Sequence, residues 1–335
     1  MTFRHQLTHS LSLFAISTTL VLSACSTNPV TGEKDFSLIS NEQEVQMGRQ
    51  AHQDVLKKQR PYNNATLQAY VSSLGQQLAR KSHRNTIRYT FTVLDDPNVN
   101  AFALPGGYVY ITTGLMAYLN SEGELAGVLG HEIGHVTARH GVQQASVGMA
   151  TSVLVDLINK NASGDSGVLN QLGSAMLSGY GRQHELQADR LGAQYLAGVG
   201  YSPNNMIDVI GVLKAQEVYA ARQQGRRGGS YHGVFSSHPS NDQRLQEVVN
   251  AARKISSAGS RPANRDGYLA QINGLTFRID KKRVGRIVVG KIKTSGLTFE
   301  RLAKRSAIGA QPLRLLNGRY PDGKLHQGEL IKIVK

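Results

Sequence analysis

The stretch His131-Glu132-Ile133-Gly134-His135 sets two imidazoles four residues apart around a carboxylate. On an α-helix, positions four apart differ by about 40° of rotation, so both rings leave one face a turn apart and can grip one metal ion. Glu132 stands about 100° round from His131, too far to share the ion on that face and close enough to reach a water held by it. This H-E-x-x-H pattern does hydrolytic chemistry with zinc, the glutamate serving as general base, when a helix carries it. A helix is expected here. Ser121 and Glu124 read as a capping box, and Leu125, Val128, Leu129, Ile133 and Val136 supply an apolar face.

A catalytic zinc takes three protein ligands and leaves its fourth position to water. The three-histidine pattern H-E-x-x-H-x-x-G-x-x-H fails, because Ala138 and Gly141 stand where it needs a glycine and a histidine, and His140 is one residue out of place. The third ligand must come from farther along. Glu185-Leu186-Gln187-Ala188-Asp189 offers two carboxylates four apart, in a helical pattern that continues through Leu191 to Leu196. Glu185 is the best placed candidate, with Asp189 one turn on as an acceptor that could orient a ligating imidazole. A purely structural zinc is argued against, since such sites are closed by four Cys or His ligands and the only cysteine is the distant Cys25.

The elements that must position these residues are legible in outline. Residues 41–59 and 64–81 read as helices, the first capped by Asn41, the second striped by Leu67, Val71, Leu74 and Leu78. Ile87, Tyr89, Phe91 and Val93 alternate as a strand. After the turn Asp95-Asp96-Pro97-Asn98, short strands Ala101–Leu104 and Tyr108–Thr112 flank Pro105-Gly106-Gly107. A small antiparallel sheet is therefore expected before the metal helix. Tyr108–Thr112 is the candidate edge strand, with Tyr108, Val109 and Tyr110 pairing to an extended substrate. Residues 142–160 and 165–180 read as a helical hairpin beside the site. The Gly- and Arg-rich stretch from Arg222 to Gly233 reads as a loop, and Ser236-Ser237-His238-Pro239-Ser240 leads into a helix that starts near Asn241 and carries Arg244. Residues 254–268 read as a linker. Beyond it, strands at 268–277, 284–292 and 330–334 and a short helix at 299–305 make a small C-terminal domain over 269–335.

With 335 residues, 18% charged and 40% apolar, the chain can bury a substantial core and has room for a second unit. No apolar run is long enough to span a bilayer. Residues 1–24 carry one positive charge, Arg4, then an apolar run from Leu11 to Leu22, which is the pattern of a secretory signal peptide. Its end, Leu22-Ser23-Ala24-Cys25, resembles a bacterial lipobox, in which the cysteine becomes the acylated first residue; in such lipoproteins a serine at the next position, here Ser26, directs sorting to the outer membrane, which is the expected location. The formal charge is +15, and from Arg261 to Lys335 there are 17 Lys and Arg against 5 Asp and Glu. A basic tail in the cell envelope points to anionic wall or lipid partners, and export argues against nucleic acid.

HEIGH, Glu185-x-x-Ala188-Asp189 and Ser237-His238-Pro239 occur in that order, along with Thr31-Gly32-Glu33 and the run Asn100 to Gly107. Over about residues 28–250 the chain thereby resembles the HtpX and CAAX-prenyl-protease type of zinc metallopeptidases, in its periplasmic lipoprotein branch, the BepA and LoiP kind. The resemblance implies an α+β, mainly helical zincin-like (gluzincin) domain over 25–253. It implies one zinc per chain held by His131, His135 and Glu185, with Glu132 catalytic and Asp189 behind the ligands. His238 would approach the metal as a fourth ligand at rest, with Arg244 in the same segment; from the mechanism rather than the resemblance, an oxyanion needs one more donor, for which His238 is the first candidate and Arg244 the second. Substrates would be misfolded or misassembled periplasmic and outer-membrane proteins. The tetratricopeptide region of the BepA type has no counterpart here, and the basic tail resembles a LysM-like wall-binding module at Gly296–Phe299, Leu315–Gly318 and Gly328–Leu330. The competing expectation is an envelope assembly or chaperone-like lipoprotein with little proteolysis.

Overall fold

Among the described residues main-chain pairing begins at Cys25, where β1 (Cys25–Thr27) and β2 (Lys34–Phe36) form an antiparallel ribbon. The computed structural model describes residues 25–159, 179–223, 242–255, 261–280 and 282–335. The signal-peptide segment, the second arm of the hairpin as far as residue 178, most of the Gly- and Arg-rich loop, and His238 lie outside the described residues. Helix α1 (Asn41–Lys58) follows the ribbon, and its cap is Ser40 rather than Asn41. Ser40 Oγ accepts from Gln43 N at 3.2 Å while Gln43 Oε1 accepts from Ser40 N at 2.8 Å, a reciprocal box, whereas Glu44, three beyond Asn41, accepts from Arg84 and Arg139 instead. In α2 (Ala65–Ala79) the stripe Leu67, Val71, Leu74 and Leu78 is buried as its spacing requires.

Strands β3 (Thr90–Leu94), β4 (Ala101–Leu104) and β5 (Tyr108–Thr112) form one sheet in the order β3-β5-β4. This corrects two expectations. The sheet is mixed, since β3 runs parallel to β5 while β4 pairs with it antiparallel. Tyr108, Val109 and Tyr110 therefore occupy the central strand, hydrogen-bonded on both sides, and have no free edge to offer a substrate. The reason is the connection: Gly106 and Gly107, at φ +77° and +95°, fold β4 back on β5 as a hairpin, while residues 95–100 carry the chain from β3 past β5 to its far side. Alternation of side chains marks a strand and says nothing about its neighbour.

Helix α3 (Thr113–Tyr118) leads into α4 (Glu122–Thr137), the H-E-x-x-H helix, which is buried along its whole length. Ser121 Oγ accepts from Glu124 N at 3.1 Å, and the Glu124 carboxylate accepts from Asn120 N at 2.7 Å, so the helix begins where the capping pattern places it. Then come α5 (His140–Asn159), α6 (Arg182–Gly198), α7 (Asn204–Gln223) and α8 (Asp242–Lys254). Among the described residues no helix is long and apolar enough to cross a membrane.

In the C-terminal part, α9 (Arg265–Gln271) replaces the start of the expected strand at 268–277, of which only β6 (Thr276–Arg278) is strand. β7 (Val284–Lys291), α10 (Phe299–Ala303), α11 (Ala310–Leu316) and β8 (Leu330–Val334) complete it, with β6, β7 and β8 antiparallel in that order. Tyr268, Leu269, Leu316 and Val334 belong to the same apolar cluster as Leu125 and Leu129 of α4. Tyr268 Oη donates to Met116 O at 2.6 Å, and the buried Lys332 Nζ donates to Ala117 O and Leu119 O at 2.7 Å each, satisfying the carbonyls at the end of α3. The helix at 265–271 is not legible in one dimension because Tyr268, Leu269 and Ile272 are all buried, and a β-type alternation of Tyr268, Ala270 and Ile272 reads equally well.

Candidate metal centre

Helices α4 and α6 approach so closely that glycine is required between them. A Cβ on Gly134 would come within 2.9 Å of the Ala188 carbonyl oxygen, and one on Gly192 within 3.0 Å of His131 N. That contact brings Glu185 and Asp189, both buried, under the two imidazoles of α4. His131 Nε2 and His135 Nε2 are 3.0 Å apart, and the Glu185 carboxylate oxygens lie 3.5 Å from the first and 3.4 Å from the second. These three residues form a cluster able to hold a metal ion. Around a tetrahedral ion bonded at about 2.0–2.1 Å, neighbouring donors are about 3.3 Å apart, close to all three separations.

The surroundings fit a cation as well. Asp189 Oδ1 accepts from His131 Nδ1 at 2.8 Å, so the His131 proton sits on Nδ1 and its lone pair points from Nε2 into the cluster. Asp189 is in turn gripped by Arg244, Nε to Oδ2 at 2.8 Å and Nη2 to Oδ1 at 2.8 Å, while Arg244 Nη1 reaches Glu185 Oε2 at 3.0 Å. Burial alone raises the Asp189 carboxyl, but the Arg244 guanidinium and the hydrogen bonds it makes outweigh burial and hold it below the usual carboxylate range. Burial drives the His135 imidazole well below its ordinary value, which keeps it neutral and available as a ligand. Among the described residues three carboxylates, Glu132, Glu185 and Asp189, share this buried volume with the Arg244 guanidinium, an excess of negative charge that a divalent cation would cancel.

Glu132 is buried beside His131 along an apolar cleft lined by Ala101, Leu115, Val128 and Leu213. On the other side, Tyr180 stacks on His135 with ring centroids 4.0 Å apart. The structure thus brings together His131, Glu132, His135, Glu185, Asp189 and Arg244; Cys25 lies in the N-terminal ribbon, and Tyr108, Val109 and Tyr110 in the middle of the sheet. Sequence reasoning missed Tyr180 and His140. It had set His140 aside as a ligand, yet His140 Nδ1 lies 2.9 Å from His135 Nδ1. No residue type signalled it: Arg139 adopts φ +58°, which breaks the helix and starts α5 with the His140 ring against His135.

Burial, with His184 alongside, pushes the His140 imidazole down from 6.5 to about 3. A histidine whose folded value is depressed binds fewer protons folded than unfolded between the two values, so its stabilising effect is present above about 6.5 and lost as pH falls below it. Each such histidine contributes a slope of about 1.4 kcal/mol per pH unit. In chelator, the urea midpoint of the metal-free chain should fall steadily from pH 6.5 to 4.5; a flat midpoint would contradict the burial of His135 and His140.

Two histidines and one glutamate are the donor set that catalytic zinc peptidases such as thermolysin present to their metal. A family profile described as peptidase family M48 matches residues 65–252, and the chain belongs to that family. It is 31% identical over 267 residues to the beta-barrel assembly-enhancing protease of Escherichia coli K12, covering 74% of this chain and 52% of that protein. It is 28% identical over 230 residues to the mitochondrial metalloendopeptidase OMA1 of Schizosaccharomyces pombe, 66% of this chain and 64% of the relative. The E. coli K12 metalloprotease YcaL is 30% identical over 191 residues, 53% of this chain and 69% of YcaL. The chain spans about half the length of the first of these relatives.

Proposed function

We propose that this chain is a zinc-dependent endopeptidase of the bacterial cell envelope that hydrolyses misfolded or misassembled periplasmic and outer-membrane proteins. The observation that carries the reading is the meeting of His131 Nε2, His135 Nε2 and the Glu185 carboxylate within 3.5 Å of one another, beside a buried glutamate that is not one of the three. His131, His135 and Glu185 would hold one zinc. When bound, zinc supplies Lewis acidity, lowering the pKa of a water to about 7 and polarising a carbonyl. Glu132 takes the proton from the attacking water and delivers it to the leaving amine. Asp189 keeps the His131 lone pair on Nε2. Arg244, committed to Asp189 and Glu185, acts by positioning them rather than as an oxyanion donor. His238 is assigned the approach to the metal as a fourth ligand or oxyanion donor.

Substrate would lie extended along β4, the edge strand beside α4, whose Ala101 lines the cleft next to His131 and Glu132. That cleft suits an apolar side chain. The N-terminal pattern ending at Cys25 supports a lipid anchor, and the excess of Lys and Arg over residues 261–335 supports an anionic partner in the wall or membrane. The assembly-factor reading is not favoured, since the relatives are named as proteases.

The decisive assay is cleavage of casein by the purified chain with and without a chelator. Cleavage lost to chelator and restored by zinc is expected. Cleavage that survives chelation in a chain shown to be metal-free would overturn the reading.

A further inference from the structure

The two imidazoles of the cluster are oriented by different means. His131 has a carboxylate at Nδ1, and a carboxylate only accepts, so its proton is assigned at once. His135 instead meets His140, Nδ1 to Nδ1 at 2.9 Å. Two neutral imidazoles can bond in either direction, so this contact alone leaves open which nitrogen of His135 carries the proton. If it were Nε2, His135 could not be a ligand.

The direction is settled one residue farther out. His140 Nε2 lies 3.0 Å from Gln187 Oε1, and an amide oxygen only accepts. The His140 proton is therefore on Nε2 and its Nδ1 is bare. A bare Nδ1 can only accept, so with a cation between His131, His135 and Glu185 the His135 ring donates from Nδ1 and turns its Nε2 lone pair to the ion. We infer that His140 and Gln187 form a relay that selects the metal-binding tautomer of His135, as Asp189 does for His131. Neither is a ligand; both are positioning residues, and their usefulness rests on the metallopeptidase reading above.

The local packing suits this task. His140 is fully buried, the His184 ring stacks on it at 4.2 Å, and Tyr180 covers His135, so water has little access to the relay. Gln187 sits between Glu185 and Asp189 on α6, one residue from the closest helix contact. The helix that supplies the third ligand thus also orients both histidines, one through a carboxylate and one through an amide.

Gln187 is only half-buried, so it can be varied without emptying the core. Zinc affinity is measured on the full mature chain by competition with a chromophoric chelator, for wild type and for Gln187→Glu, Gln187→Leu and Gln187→Lys. Glutamate keeps an acceptor and should bind zinc within about threefold of wild type. Leucine removes the acceptor, and lysine, which only donates, reverses the relay and puts the His135 proton on Nε2. Both should weaken zinc about 10- to 100-fold, the usual cost of losing such a support, with lysine the worse. Lysine binding as tightly as wild type, or glutamate failing as badly as leucine, would overturn the proposal. Nitrogen-15 shifts of the zinc-loaded wild-type chain give a second readout that needs no variant to fold: His140 should carry its proton on Nε2 with Nδ1 bare, and a His140 proton on Nδ1 would overturn the relay. If zinc binds as described and casein is not cut, the endopeptidase reading fails and the relay stands.

Discussion

Replacing Glu132 by glutamine is expected to lower casein cleavage by about 10²–10⁴-fold while the chain still takes up one equivalent of zinc. The substitution preserves shape, and Glu132 lies outside the cluster of His131, His135 and Glu185, so the metal should stay. What is lost is a buried carboxylate beside the metal cleft that can receive a proton. Asp189 cannot substitute, because both of its oxygens are engaged by Arg244 and His131. Metal content by elemental analysis and initial cleavage rates on the same preparation test the two halves together. A Glu132→Gln chain that cleaves within tenfold of wild type would remove the general-base assignment, and one that loses its zinc would mean Glu132 supports the metal as well.

The second large effect lies away from the chemistry. Glu44 of α1 is fully buried and joins three segments: Oε1 accepts from Arg84 at 2.8 Å and from Gly106 N at 3.3 Å, and Oε2 accepts from Arg84 at 3.2 Å and Arg139 at 2.8 Å. Arg84 also donates to Val136 O, and Arg139 to Ile39 O, both at 3.0 Å. The end of the metal helix, the β4–β5 turn and α1 are thus tied to one carboxylate. Glu44→Gln leaves two buried guanidiniums facing a neutral amide, and removing one side of a buried ion pair costs about 3–5 kcal/mol. The urea midpoint should drop accordingly. Arg139 holds its left-handed backbone with the help of these contacts, so His140 should also lose its place against His135 and zinc affinity should weaken. A loss of stability below about 1 kcal/mol would show that the arginines find other partners.

Much of the centre could be read without coordinates because its rules are local. A capping serine, a helical apolar stripe and a four-residue spacing act within two turns of one helix, and they placed His131, Glu132 and His135 on one buried element. Glu185 and Asp189 were reachable by the same means, since the donor count required a third ligand and one later helix offered two acids a turn apart. The α2 stripe and the three strands before the metal helix follow from period alone.

Other features depend on pairs far apart in the chain, and no local pattern encodes which partner is chosen. Alternation could not say that β5 lies between β3 and β4, so the strand with a free edge was misassigned. Glu44 and Arg139 are 95 residues apart, His140 and Gln187 47, and Arg244 and Asp189 55. Each looks like an ordinary charged or polar residue until packing removes water and leaves it a single partner. The amino-acid sequence alone set out His131, Glu132 and His135 as candidates to bind a metal and act as base, because helix geometry brings those three together whatever surrounds them. Only the tertiary structure decided which nitrogen of each imidazole faces the cluster and which strand borders it, because hydrogen-bond direction and sheet order exist only once distant segments have met.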